Sequence, residues 1–359
     1  MSQLRVGVVF GGRSGEHEVS LRSAEFILRS LDPARFVAVP IGITPEGKWL
    51  ALPSDRLGEL DSTSPAAIIR ETMERGHGLA LSPDPGATRE FDVLFPIIHG
   101  TFGEDGTLQG FFEMASIPYV GAGVLGSAVG MDKDVMKRLL RDAGMSIVPY
   151  WRLLESDRAA FMGGQAPGLP YPVFVKPANL GSSVGITKVS SISSLVAALD
   201  EAFAYDRKVV VEAGLDVREI ELSVLGNDDP VASVPGEVQP AGEFYDYRAK
   251  YIDDDSKLII PAELGEDQVR EAQDLAIQTF RVLECSGLAR VDLFLEKSSG
   301  KFFVNEINTL PGFTSISQYP LLWAESGVDG QSLVTRLVDL ALERHADRSR
   351  RRTSVDVSA

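Results

Sequence analysis

Residues 176–185 read Lys176-Pro177-Ala178-Asn179-Leu180-Gly181-Ser182-Ser183-Val184-Gly185, set between the apolar run Val173-Phe174-Val175 and a second extended run from Ile186 to Val189. A strand ending in lysine, a loop of small residues and a returning strand make a hairpin. A P-loop instead opens a helix and carries G-x-x-x-x-G-K-[ST], which is absent from this chain. Small residues let backbone N–H groups approach an anion, and the lysine adds a point charge, so the hairpin can cover phosphates as a mobile lid. The plainer reading, a turn rich in Gly and Ser, stands beside it.

A second hairpin follows downstream. In Leu288-Ala289-Arg290-Val291-Asp292-Leu293-Phe294-Leu295, strand alternation puts Arg290 and Asp292 on one face, and in Phe302-Phe303-Val304-Asn305-Glu306-Ile307-Asn308 it puts Glu306 and Asn308 on one face. The turn Glu296 to Gly300 lets the strands pair, so Asp292, Glu306 and Asn308 converge as hard oxygen ligands for one or two Mg²⁺ ions. The alternative is a solvated face with an Arg–Asp pair. Glu212 and Glu219 are candidates for ribose or adenine contacts, or simple surface charge.

Towards the N-terminus, Leu4 to Phe10 is a β-branched strand that stops at Gly11-Gly12, and Ala24, Ile27, Leu28 and Leu31 recur at helical spacing. Further apolar runs, Phe36 to Ile43 and Phe91 to Ile98, suit an open parallel sheet with helices on its faces, ending near Gly121. Gly121-Ala122-Gly123-Val124-Leu125-Gly126 matches the dinucleotide pattern by letter. The short, proline-bearing Ile117-Pro118-Tyr119-Val120 before it is no central strand, so NAD is set aside. Met131 to Ala143 reads as a helix, Met162 to Pro172 as a loop, Lys208 to Glu212 as a strand and Ala213 to Asp216 as a hinge. A long helix is expected over Asp267 to Leu283 and an amphipathic one around Leu333 to Leu342. Asp347 to Ala359 is expected to be a disordered tail.

The 359 residues allow two or three domains, and 51 acidic against 35 basic side chains give a net charge of −16. That envelope repels nucleic acid and anionic membrane, so neither is expected as a partner. One cysteine, Cys285, excludes an intrachain disulfide, and His17, His77, His99 and His345 are too scattered for a Cys/His zinc cluster. Without a signal core or a membrane-length apolar run, a cytoplasmic protein is expected.

Taken in order, the motifs resemble the D-alanine–D-alanine ligase family of the ATP-grasp superfamily over nearly all of residues 4–345. They are Gly11 to Leu21 (GGRSGEHEVSL), His99-Gly100 with Gly103 to Gly110, Met131-Asp132-Lys133, Lys176-Pro177 through Gly185, Phe244-Tyr245-Asp246-Tyr247 with Lys250-Tyr251, Arg290-Val291-Asp292, and Asn305 to Ser315. The resemblance implies an α/β chain with the ATP-grasp fold and an N-terminal Rossmann-like domain. Its units would be 1–121 (substrate domain), 122–212 (central ATP-grasp subdomain) and 213–346 (C-terminal catalytic domain), with 347–359 as tail.

The same resemblance implies the substrates ATP and D-alanine, two Mg²⁺ (or Mn²⁺) ions, and a homodimer. By position, Lys133, Lys176, Ser183 and Lys250 would contact the nucleotide, with Glu212, Leu215 and Glu219 at adenine and ribose. Asp292, Glu306 and Asn308 would hold the metals. Glu16 would hold the first ammonium near His99, Arg290 and the N–H of Gly312 would stabilise the oxyanion, and Ser317 and Gln318 would receive the second carboxylate. Glu16, Ser182 and Tyr251 would link the closing loops. Ala213-Gly214 departs from the bulkier residues common in relatives. A carboxylase or a glutathione-synthetase-like ligase would share the lysines and metal ligands but not the Glu16, Ser182 and Tyr251 set, and a nucleotide sensor would bind ATP without turning it over.

Overall fold

The computed structural model describes residues 3–53, 64–82, 84, 89–162, 170–239 and 257–352. The expected closing-loop residues Phe244 to Tyr247, Lys250 and Tyr251 lie outside the described residues, as does the chain after 352.

Strand β1 (Leu4–Gly11) is buried from Val6 onward, because both its faces are covered. Val6, Val8 and Phe10 face α1 (His17–Ser30), while Val9 faces the opposite core, with Ile41, Leu94 and Phe112. This is why β1 reads as a continuous apolar run rather than an alternating one. It pairs in parallel with β2 (Phe36–Ile43); β3 (Trp49–Ala51), α2 (Pro65–Arg75) and β4 (His77–Gly78) follow, and β5 (Val93–Pro96) lies parallel to β1 on its other side. The order is β4-β3-β2-β1-β5. The expected parallel sheet is therefore extended on one side by β3, antiparallel to β2, and by the edge strand β4, antiparallel to β3.

After α3 (Thr107–Met114) comes the Gly121 to Gly126 segment. It follows only an isolated bridge at Tyr119 and leads into α4 (Val124–Met131), so no strand of a βαβ unit precedes it. The helix expected over 131–143 is interrupted at Asp132, whose carboxylate accepts from the N–H groups of Asp134 and Val135 and caps α5 (Lys133–Asp142). The apolar faces of α4 and α5 join the third sheet's core through Val129, Met136 and Leu140, rather than the second sheet that follows them in sequence.

That second sheet, β6-β9-β7-β8, is antiparallel throughout and consists of β6 (Tyr150–Leu154), β7 (Val173–Pro177), β8 (Thr187–Val189) and β9 (Lys208–Ala213). Leu195, Ala198, Leu199 and Ala202 of α6 (Ile192–Tyr205) cover it.

The third sheet is built on β10 (Val217–Gly226), with β11 (Val231–Ala232), β12 (Gly236–Gln239), β13 (Lys257–Ile259), β14 (Gly287–Glu296) and β15 (Phe302–Asn308). Ala272, Ala276 and Phe280 of α7 (Glu266–Val282) pack on it. The chain then returns to the first sheet, where α8 (Gln318–Glu325) and α9 (Gly330–Ser349) bury Tyr319, Trp323, Leu333, Leu337 and Val338 against Val6, Val8 and Phe95. Residues 347–349 of the expected tail are helical instead: α9 continues through Ser349, and Asp347 pairs with Arg350 and Arg351 at the helix end.

Candidate active site

Two adjoining cavities lie among the three sheets, and Lys133, Gly181, Glu221 and Glu306 line both. The first, of about 440 Å³, gathers Glu16, His99, Ser182, Arg290, Gly312, Ser317 and Gln318 from five separate parts of the chain. The second, of about 710 Å³, gathers Lys133, Lys176, Ser183, Glu212, Leu215, Glu219, Asp292 and Glu306. Asn308 lines the first cavity rather than the second.

The hairpin β7–β8 forms as its residues require, with Val173 opposite Val189 and the 178–186 loop projecting beyond. Ser182 and Ser183 both have positive φ, +53° and +59°, a strained conformation for L-residues that turns this loop over the boundary between the cavities. From there the Ser182 hydroxyl donates to the Glu16 carboxylate. Lys133 reaches the same loop from α5, donating to the Leu180 carbonyl at 2.6 Å, and lies 3.8 Å from Glu306.

His99 is buried and held at both ring nitrogens. Nε2 lies 3.1 Å from Ser23 Oγ, and Nδ1 lies 3.1 Å from the Leu310 carbonyl and 3.7 Å from Glu104. Burial works against its protonation, but Glu104 and Glu16 overcome this and raise its pKa above the ordinary histidine value. Ser317 precedes α8, and its hydroxyl accepts from the Thr314 N–H at 2.9 Å. A Cβ on Gly312 would come within 2.9 Å of that hydroxyl oxygen, so a larger residue there would displace Ser317. Gln318 is buried, and both its amide atoms lack a hydrogen-bond partner among the described residues.

At the second cavity, Glu212 is buried between two lysines. Lys137 Nζ lies 2.5 Å from Oε1, and Lys176 Nζ donates to Oε2. Burial opposes its charge, yet the two cations hold its pKa down at about 2. Across the third sheet Glu221 stands opposite Asp292, and Asp292 opposite Glu306, which sets three carboxylates in one row. Arg290 forks onto Asp292 with two contacts of 2.7 Å and touches Glu221 at 2.8 Å, and the buried acids raise its pKa despite desolvation.

The expected convergence of metal ligands is therefore a matter of register. Asp292 and Glu306 pair directly, but Asp292 is turned onto Arg290, and no group of three Asp, Glu, His or Cys side chains able to hold a metal closes among the described residues. The charge of the cavity nevertheless suits divalent cations. Eight carboxylates against four lysines and arginines line the second cavity, so a polyphosphate would be repelled there without them.

The sequence reading missed Lys137, Glu221, Glu104 and Ser23. Spacing held signals for two: Lys137 is one helical turn after Lys133, and Glu221 shares a strand face with Glu219.

Comparison with known proteins follows the same lines. Family models described as D-ala D-ala ligase N-terminus and D-ala D-ala ligase C-terminus match residues 5–122 and 139–339. The chain is 47% identical to a D-alanine–D-alanine ligase of Natranaerobius thermophilus, covering all of both chains, and 48% identical to one of Heliobacterium modesticaldum, covering 98% of each. Among solved structures it resembles the VanG D-Ala:D-Ser ligase of Enterococcus faecalis, with TM-score 0.85, 34% identity, and 95% of this chain and 100% of that one covered. It also resembles the D-alanine–D-alanine ligase of Coxiella burnetii, with TM-score 0.82, 34% identity, and 98% and 97% covered.

Proposed function

This chain belongs to the D-alanine–D-alanine ligase family, and on that premise we propose that its two cavities activate one D-alanine with ATP and join it to a second, forming D-alanyl-D-alanine for peptidoglycan precursors. The observation that carries the reading is the shared wall of Lys133, Gly181, Glu221 and Glu306, which lets an amino acid and a nucleotide meet.

A carboxylate oxygen of the first D-alanine attacks the γ-phosphorus and ADP departs, giving D-alanyl phosphate. The amine of the second D-alanine then attacks the acyl carbon, and the tetrahedral species expels phosphate as the nitrogen loses its proton. Glu16 holds the first ammonium, and Ser182 ties the loop to it, which keeps water from the acyl phosphate. Arg290 and the Gly312 N–H receive the negative charge on the carbonyl oxygen, and Ser317 with the unsatisfied amide of Gln318 takes the second carboxylate. Lys133, Lys176 and Ser183 address the phosphates, with Glu212, Leu215 and Glu219 at the nucleoside. Asp292, Glu306 and Asn308 would hold two Mg²⁺ (or Mn²⁺) ions, which neutralise the charge moving between the phosphates. Lys250 and Tyr251 complete the proposed set from outside the described residues.

No helix among the described residues is long and apolar enough to cross a membrane. We infer a cytoplasmic homodimer: the need for ATP supports the location, and the family resemblance supports the dimer. Phosphate release from ATP and Mg²⁺ tests the activity: D-alanine should stimulate it strongly and L-alanine should not. Equal stimulation by both, or by neither, would refute the assignment.

A further inference from the structure

Lys137 has no place among the nucleotide contacts, since it does not line the second cavity. It is nonetheless one of the most deeply buried cations in the molecule, with a side chain 1% exposed, and its charged contact is Glu212, itself 2% exposed. Its amine also lies 5.9 Å from the Tyr150 ring. On the far side of Glu212, Lys176 is 10% exposed and opens onto the cavity. Glu212 thus bridges a fully buried lysine and one at the cavity wall, two amines to one carboxylate.

Burying three charges is costly, and a purely structural pair would balance itself. Here the surplus is one positive charge, and the member left partly open is the lysine facing the phosphates. Without Lys137, Glu212 would neutralise Lys176 alone, in a cavity that, this pair included, is lined by eight carboxylates against four cations. We propose that Lys137 is a positioning residue that engages Glu212 from behind and so leaves the charge of Lys176 available to the nucleotide phosphates. This rests on the second cavity being the ATP site, as proposed above.

The test separates phosphate affinity from everything else by taking the ratio of ATP to adenosine affinity, measured at equilibrium without D-alanine. In Lys137→Met that ratio falls at least about tenfold (1.4 kcal/mol), while Lys137→Arg keeps it within about threefold of the unaltered enzyme. Should Lys137→Met fail to fold, Lys137→Gln, which removes the charge but keeps a donor, takes its place with the same expected fall. In the Glu212→Gln background, where there is no carboxylate to engage, removing the Lys137 charge leaves the ratio within about threefold. An unchanged ratio in the Lys137 single variant, a parallel loss of ATP and adenosine affinity, or a tenfold fall that persists in the Glu212→Gln background overturns the proposal. Because no ligation is measured, inactivity towards D-alanine would refute the ligase reading and leave this result standing, whereas failure of the unaltered protein to bind ATP would overturn both.

Discussion

Asp292 answers two demands at once, pairing with Glu306 across the β14–β15 ladder while both its oxygens accept from Arg290. Strand alternation made the first relation legible in the sequence. The fork was visible only as the alternative reading, and Glu221, the other acid on Arg290, comes from a strand about seventy residues upstream that no local pattern connects to it. We expect Asp292→Asn and Glu306→Gln to remain folded and to lose at least about a hundredfold in turnover, partly recovered by high Mg²⁺. Near-normal rates at ordinary Mg²⁺ in both would remove them from the metal site. Glu212 carries a pH signature. Its carboxyl is held at about 2 against an ordinary 4.5, so the stability it contributes is complete above pH 4.5 and lost as pH falls towards 2. Melting temperature should therefore fall more steeply with acid in the unaltered protein than in Glu212→Gln. Parallel curves would contradict the assignment.

At the level of elements, hairpins and capped helices were the readable parts, because strand period and turn chemistry act locally. The junction at 121–126 shows what letters alone conceal. Gly126 lies on α4 where an added Cβ would meet the Glu284 carbonyl at 2.7 Å, while at Gly123 the nearest atom is 3.8 Å away. The first is a packing glycine between α4 and the turn before β14, and dinucleotide chemistry plays no part in it. Gly126→Ala should cost about 1–3 kcal/mol in urea unfolding and Gly123→Ala distinctly less. Equal costs would mean that the close approach does not matter. The break at Asp132 was equally hidden, since the period continues through it and only the cap, with its two N–H contacts, marks the boundary.

Across the whole molecule, the return of α9 to the first sheet decides how the parts cohere. Its apolar stripe was legible, but its partner was not, because long-range packing of a helix on a sheet leaves no local trace. Leu337 is fully buried in the core that also takes in Val6, Val8 and Phe95, so Leu337→Ala should cost about 2–5 kcal/mol. The loss should appear in amide-exchange protection of β1 as well as of α9; protection lost from α9 alone would show that the two do not share a core.

The same arrangement brings Glu16, from the first sheet's loop, to Ser182 of the second sheet's hairpin, at the boundary between the two cavities. The central claim is that this boundary carries phosphoryl transfer to a carboxylate. D-Alanine labelled with ¹⁸O in its carboxylate, turned over with ATP, tests it most directly. One labelled oxygen should appear in inorganic phosphate for each D-alanyl-D-alanine formed, with the other retained in the peptide carbonyl. Dipeptide formed with unlabelled phosphate would contradict an acyl phosphate, and with it this account of the site.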